Sequence, residues 1–163
     1  MDSADKKAFL DKCIAEEKKY TFPEFARNDA WELGHDLVES TKDFLDDGPL
    51  AVSIFLNGTE VFRWFPEGTG LFHEQWLRRK YNTVTTLDRA SMTWKAKLAC
   101  DGSSLEAECL NPMDYADCGG GFPIRIKGGA VIGFIGVSGL SDDKDQAALI
   151  AGLDKFFKRH NWA

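Results

Sequence analysis

The sequence is poor in cysteine and histidine and has no long apolar run, and each shortage removes a class of function. Its four cysteines, Cys13, Cys100, Cys109 and Cys118, include no CxxC pair, which leaves neither a zinc-site spacing nor a thioredoxin-like motif. No two of its three histidines, His35, His73 and His160, have metal-ligand spacing. No apolar stretch reaches the roughly 18 residues of a membrane-spanning helix. The opening Met-Asp-Ser-Ala-Asp-Lys-Lys has no apolar core of a secretory leader. Together these absences predict a cytoplasmic protein with reduced thiols, no membrane partner and no metal. GxGxxG, GxSxG and the familiar local Cys–His spacings are also missing, so no motif opens an enzyme reading. Positive charge is scarce too. Twenty Lys+Arg against 26 Asp+Glu leave a net charge of −6, which argues against nucleic acid as a partner.

What is present is one domain's worth of patterned chain. The 163 residues are 44% hydrophobic and include 12 phenylalanines, enough for a single core over residues 1–163. Helical spacing runs from about Ser3 to Lys19, and again from near Pro23 through Leu33, Leu37 and Phe44. Leu50–Leu56 and Glu60–Phe65 flank Asn57-Gly58, the strongest hairpin signal in the chain. Strict alternation there turns Val61, Arg63 and Phe65 one way, and Phe62 and Trp64 the other. One long helix is expected from Leu71 to Leu98, with Lys80 on its apolar stripe among Leu77, Val84, Leu87, Trp94 and Leu98. Ala99–Cys118 is irregular: it has room for a fifth strand or for a short helix capped by Ser103 or Ser104. A second hairpin, Phe122–Lys127 and Val131–Val137, is apolar nearly throughout and predicts a central, twice-covered position. A last helix starts at Ser141 and buries Leu149, Ile150, Leu153, Phe156 and Phe157. The expected fold is α+β: an antiparallel sheet of about five strands with helices on both faces.

Three places could carry chemistry. Gly119-Gly120-Gly121 allows either a bulged strand start or close approach of a ligand or backbone. Gly136–Ser141 leads a strand end into a helix start, giving either backbone N–H groups for an anion or a tight turn with Ser141 as cap. Arg63 and Arg78-Arg79-Lys80 gather positive charge. Lys80, on a core-facing stripe, either pairs with a buried carboxylate or holds an acidic ligand. Were a haem present, His73 at the start of the long helix, or Cys118 beside the glycines, could ligate its iron; an ordinary structural role competes for each.

The run GGGFPIRIKGGAVIGFIGVSGL, Gly119–Leu140, resembles the signature of the haem-degrading-domain superfamily. Phe62-Arg63, Trp76 and Arg79–Val84 resemble its small, single-domain cytosolic branch. The resemblance covers about residues 50–157 and implies a profilin-like fold and a homo-oligomer, a dimer or a larger ring. It implies haem binding in some relatives, and partnership with sensor kinases, cobalamin-related enzymes or protein-targeting factors in others. It assigns Arg63, Lys80, Gly120, Gly121, Ser138 and Gly139 to a shared pocket, although packing and turn geometry would explain the same letters. The family's Asp-His in the last helix is Asp145-Gln146 here. The functional expectation is a non-catalytic oligomeric binding module for a small acidic ligand, haem or a related tetrapyrrole among the candidates, or for a protein partner. A haem-degrading enzyme and a purely structural assembly subunit are the alternatives.

Overall fold

The computed structural model describes residues 1–162. The elements are α1 (Ser3–Lys19), α2 (Arg27–Thr41, continued by a 3-10 turn over Lys42–Phe44), β1 (Ala51–Leu56), β2 (Thr59–Trp64), α3 (Leu71–Leu87), α4 (Ser91–Asp101), β3 (Gly121–Arg125), β4 (Val131–Ser138) and α5 (Asp142–Arg159). The four strands form one antiparallel sheet in the order β2-β1-β4-β3. Asn57 and Gly58 both take positive φ, 49° and 79°, as a two-residue hairpin turn with the twist of its strands requires.

β1 and β4 are central, but β3, expected to be central with β4, is an edge strand. Its apolar character has another cause. Phe22 covers its free edge: the Phe22 N–H donates to the Arg125 carbonyl and the Lys127 N–H to the Phe22 carbonyl, both at 2.8 Å.

Helices cover both faces. Leu33 and Leu37 of α2 and Leu149, Leu153, Phe156 and Phe157 of α5 pack on Val52, Ile54, Phe122, Ile124, Ile135 and Val137. On the other face α3 lies over β4 and β3. It approaches closely because Ser53, Gly136 and Gly121 form one register row of small residues. A Cβ at Gly136 would lie 2.7 Å from Leu77, and one at Gly121 would lie 3.1 Å from the Lys80 Cβ. Outside these layers, α1 packs on α4 through Cys13, Met92 and Ala96.

Four expectations are corrected. The sheet has four strands, not about five: after α4, the segment up to Cys118 is a series of turns whose amides bond locally, as in Leu110 N–H to Leu105 and Tyr115 N–H to Asn111. Ser104 does accept the Ala107 amide at 3.2 Å, but no helix follows. The long helix is two helices, broken where Asp88 turns left-handed at φ 53°. The second helix starts at Arg27, not near Pro23. Finally, a register shift between Ile54 and Phe55 places a bulge around Val61. The strict alternation through Val61, Arg63 and Phe65 therefore fails, and Phe65 lies beyond the strand.

Candidate functional site

The start of α3 faces the junction between β4 and α5 across a cavity of about 180 Å³. Its lining is Phe72, His73, Trp76 and Lys80 from α3, Ser138, Gly139 and Leu140 from the end of β4, Asp142 and Asp145 from α5, and Cys118. Lys80, Ser138 and Gly139, three of the six residues expected at a pocket, thus meet here.

Lys80 forms the cavity's floor. Its Nζ donates to Asp145 Oδ2 and to the Val137 carbonyl, both at 2.8 Å. Burial pushes the Asp145 carboxyl up, while Lys80 and the amides of Leu140 and Gly139 pull it back. The Leu140 N–H donates to Asp145 Oδ1 at 2.9 Å. Of the two roles open to Lys80, the structure shows the buried pair. The same bond commits a backbone N–H of the strand-to-helix turn to the protein's own carboxylate. Ser141 sits at the cap position of α5 without a side-chain cap bond.

The glycines serve the packing behind this floor. A Cβ at Gly120 would lie 2.3 Å from the Val137 carbonyl oxygen and 2.8 Å from Lys80 Nζ. The Gly120 N–H donates to Gln146 Oε1 at 3.0 Å, and Gln146 Nε2 donates to Glu16 at 2.7 Å. The amide side chain thus supplies one acceptor and one donor at the position where the family pattern has histidine. Gly121 lies under α3. Arg63 stands apart: its guanidinium donates to Glu60 at 2.6 Å and to Glu74 at 2.7 Å. It borders a different cavity, with Phe55, Leu77 and Tyr81.

His73 and Cys118, distant in sequence, both line the cavity. The Gly70 N–H donates to His73 Nδ1 at 3.1 Å, a reach-back from the third helical residue to the N-cap. Burial pushes the Cys118 thiol up, with Lys80 opposing, so it is a thiol rather than a thiolate at neutral pH. The Asp142 carboxylate pairs with Lys95. Trp76 was not singled out as a site residue from sequence, yet it walls the cavity and carries the Arg79 guanidinium 3.7 Å from its ring centroid. The Gly-x-x-His spacing before an apolar-periodic stretch was the signal for the His73 cap. A larger trough of about 610 Å³ runs between α1 and α5, but Gln146, the buried polar side chain on its wall, already has partners on both amide atoms. Among the described residues no group of three or more His, Cys, Asp and Glu is placed to hold a metal ion, and no helix is long and apolar enough to cross a membrane.

Fold and site together define a class: an α+β domain whose last strand, last helix and sheet-covering helix enclose a small cavity over a buried Lys–Asp pair. The chain belongs to the family described as "Haem degrading protein HbpS-like", which matches residues 25–154. It is 31% identical over 160 residues to a UPF0303 protein of Streptomyces avermitilis, covering 98% of this chain and 97% of that one. It is 33% identical over 151 residues to a UPF0303 protein of Brucella anthropi, covering 91% and 88%. Among solved structures it shares its fold with the Ybr137w protein (TM-score 0.84, 24% identity, 93% and 89% covered). It also shares it with PduOC, solved as a heme complex (TM-score 0.65, 22% identity, 80% and 93% covered).

Proposed function

We propose that this protein is a non-catalytic binding module that works as an oligomer and holds a small flat ligand in the cavity at the start of α3. One observation carries the reading. The cavity, walled by Phe72, Trp76 and Leu140, has Ser138 and His73 on its lining, while its charged groups are paired with one another or with Lys95. Such a lining suits holding a ligand rather than attacking one. Cys118 is kept as a thiol, and the Lys80 ammonium is committed to Asp145, so neither is a poised nucleophile or base. A screen of single-ring fragments by amide NMR tests this. Bound fragments should shift the Ser138, Gly139 and Leu140 amides; a screen in which no fragment moves them overturns the small-ligand reading.

Self-association is supported by apolar surface. Trp31, Leu45, Leu71 and Phe72 are each more than 60% exposed, and such groups are characteristic of interfaces. Light scattering should find an oligomer; a monomer at high micromolar concentration overturns that part.

Haem is the ligand that the relatives' descriptions bring to this chain, and the residues here do not fit its iron. His73 Nδ1 accepts an amide hydrogen, so Nε2 carries the ring's own hydrogen and offers no lone pair. Burial raises the Cys118 thiol, so ligation there would have to work against that burial to release the proton. The cavity, about 180 Å³, falls below the roughly 300–1,000 Å³ of pockets that enclose drug-sized ligands. A tetrapyrrole would have to lie across the mouth, over the exposed Phe72. Titration with ferric haem checks this. A Soret shift abolished by His73→Ala or Cys118→Ala restores axial ligation; none is expected.

A further inference from the structure

We infer that His73 is a fixed hydrogen-bond donor that selects, for this cavity, a flat ring bearing an uncharged carbonyl oxygen. The inference rests on the small-ligand reading above and adds to it the ligand's chemical class and the group that recognises it. The Gly70 N–H can only donate, so the 3.1 Å contact to Nδ1 fixes the tautomer with hydrogen on Nε2. The same bond satisfies one of the free amides at the start of α3. Cδ2, bonded to Nε2, is the His73 atom that comes within 3.4 Å of a Cβ position at Gly139. His73 thus packs beside Gly139, and both residues line the cavity. Ser138, 4% exposed and on the same lining, adds a hydroxyl. Phe72 and Trp76 add aromatic rings to the same lining, with Arg79 stacked on one face of Trp76.

Charge decides between an uncharged oxygen and a carboxylate. Asp142 and Asp145 both line the cavity, and the cations nearest them, Lys95 and Lys80, are already neutralised by those same side chains. A carboxylate would enter beside two carboxylates whose lysine partners are already engaged, while the Arg79 guanidinium, stacked on Trp76, stands outside the lining. A carbonyl oxygen can accept from Nε2–H and from Ser138 without that penalty. The volume restricts the ring system to one ring or two fused rings.

Benzamide and benzoate are suitable probes, titrated against the full chain with amide NMR as the readout. Benzamide should shift the Ser138, Gly139 and Leu140 amides and bind about tenfold more tightly than benzoate, which brings an unpaired charge beside Asp142 and Asp145. His73→Gln keeps the helix cap through its carbonyl and keeps a donor through its NH2, so it should hold benzamide within about threefold. His73→Glu keeps the cap but replaces the donor with a charged acceptor, and should lose about tenfold or more. Circular dichroism melts of both variants establish that the fold is intact. Long-range ¹H–¹⁵N NMR of the His73 ring should show Nδ1 unprotonated whether or not a probe is bound. Benzoate binding as tightly as benzamide, His73→Glu binding like wild type, or a protonated Nδ1 would each falsify the inference and leave the cavity a ligand site. No lining shift with either probe overturns the inference, and no shift with any single-ring fragment overturns the small-ligand reading itself.

Discussion

Lys80 Nζ and Asp145 Oδ2 lie 2.8 Å apart on side chains that are 2% and 4% exposed. The pair joins α3 and α5, which cover opposite faces of the sheet, around the sheet's end at Val137 and Gly120. It thereby fixes the layers whose junction forms the cavity. Removing one partner leaves the other buried and unpaired. Lys80→Met should therefore destabilise the fold by about 3–5 kcal/mol, whereas replacing both, as Lys80→Met with Asp145→Leu, should recover most of that. Urea unfolding of the single and double variants measures the coupling. A single-variant cost under about 1 kcal/mol would contradict a buried ionic tie.

Gly120 and Gly58 both have positive φ, 98° and 79°, but their surroundings differ. A Cβ at Gly120 would sit 2.3 Å from the Val137 backbone oxygen, whereas one at Gly58 would meet nothing within 4 Å. Gly58→Ala should cost about 1–2 kcal/mol, from left-handed strain alone. Gly120→Ala adds a clash with backbone that cannot move aside, and should cost about 3 kcal/mol or more. Thermal or urea unfolding of the two variants ranks them; equal losses would mean that the Gly120 corner yields.

Much of the layering was legible in the sequence because its signals are local. Asn57-Gly58 marks the first hairpin, and the periodicity of Leu149, Leu153 and Phe156 marks the last helix. The break between α3 and α4 was not legible, because the apolar stripe keeps its phase from Leu77 through Leu98. Tertiary partners stabilise that break: Arg125 donates to the Asp88 carbonyl and Glu17 accepts the Ala90 amide. The site was half legible. Lys80 stands out as a charge on an apolar stripe, but its partner lies 65 residues away, a distance that no spacing rule spans. Arg63 looked equivalent to Lys80 by charge, and only the fold shows Glu60 and Glu74 holding it outside the cavity.

The thiols should report burial through their reactivity. Burial, reinforced by Glu16, pushes the Cys13 thiol up to about 11, burial also raises Cys118, and Cys109 is exposed. Alkylation at pH 8 should label Cys109 fastest and leave Cys13 and Cys118 slow, because the thiolate is the nucleophile. The folded Cys13 value lies above the unfolded one, near 9.0. Its contribution to stability is therefore complete below about pH 9 and lost as pH rises toward 11. Tyr20, raised by burial, acts in the same direction, so Cys13→Ala should flatten this alkaline decline without abolishing it. Mass-spectrometric labelling rates and denaturation midpoints across this pH range test both parts. Rapid labelling of Cys118 would also reopen its role as a thiolate ligand.

Trp94 packs with Leu98 and Leu105, against Leu87, Leu110 and Tyr115, and its indole Nε1 is buried with no hydrogen-bond partner among the described residues. A buried donor left unpaired forfeits about 1–3 kcal/mol of solvation, so the residue stabilises this corner through its apolar area alone. Trp94→Phe removes the unpaired N–H while keeping an aromatic ring in the cluster. The regained penalty should offset the lost contacts, leaving stability within about 1 kcal/mol of wild type. Trp94→Ala removes the ring as well and should cost about 3–5 kcal/mol. Urea unfolding separates the two. If Trp94→Phe instead costs more than about 2 kcal/mol, the indole N–H has a bound water as its partner, and the corner is held by a polar contact rather than by packing.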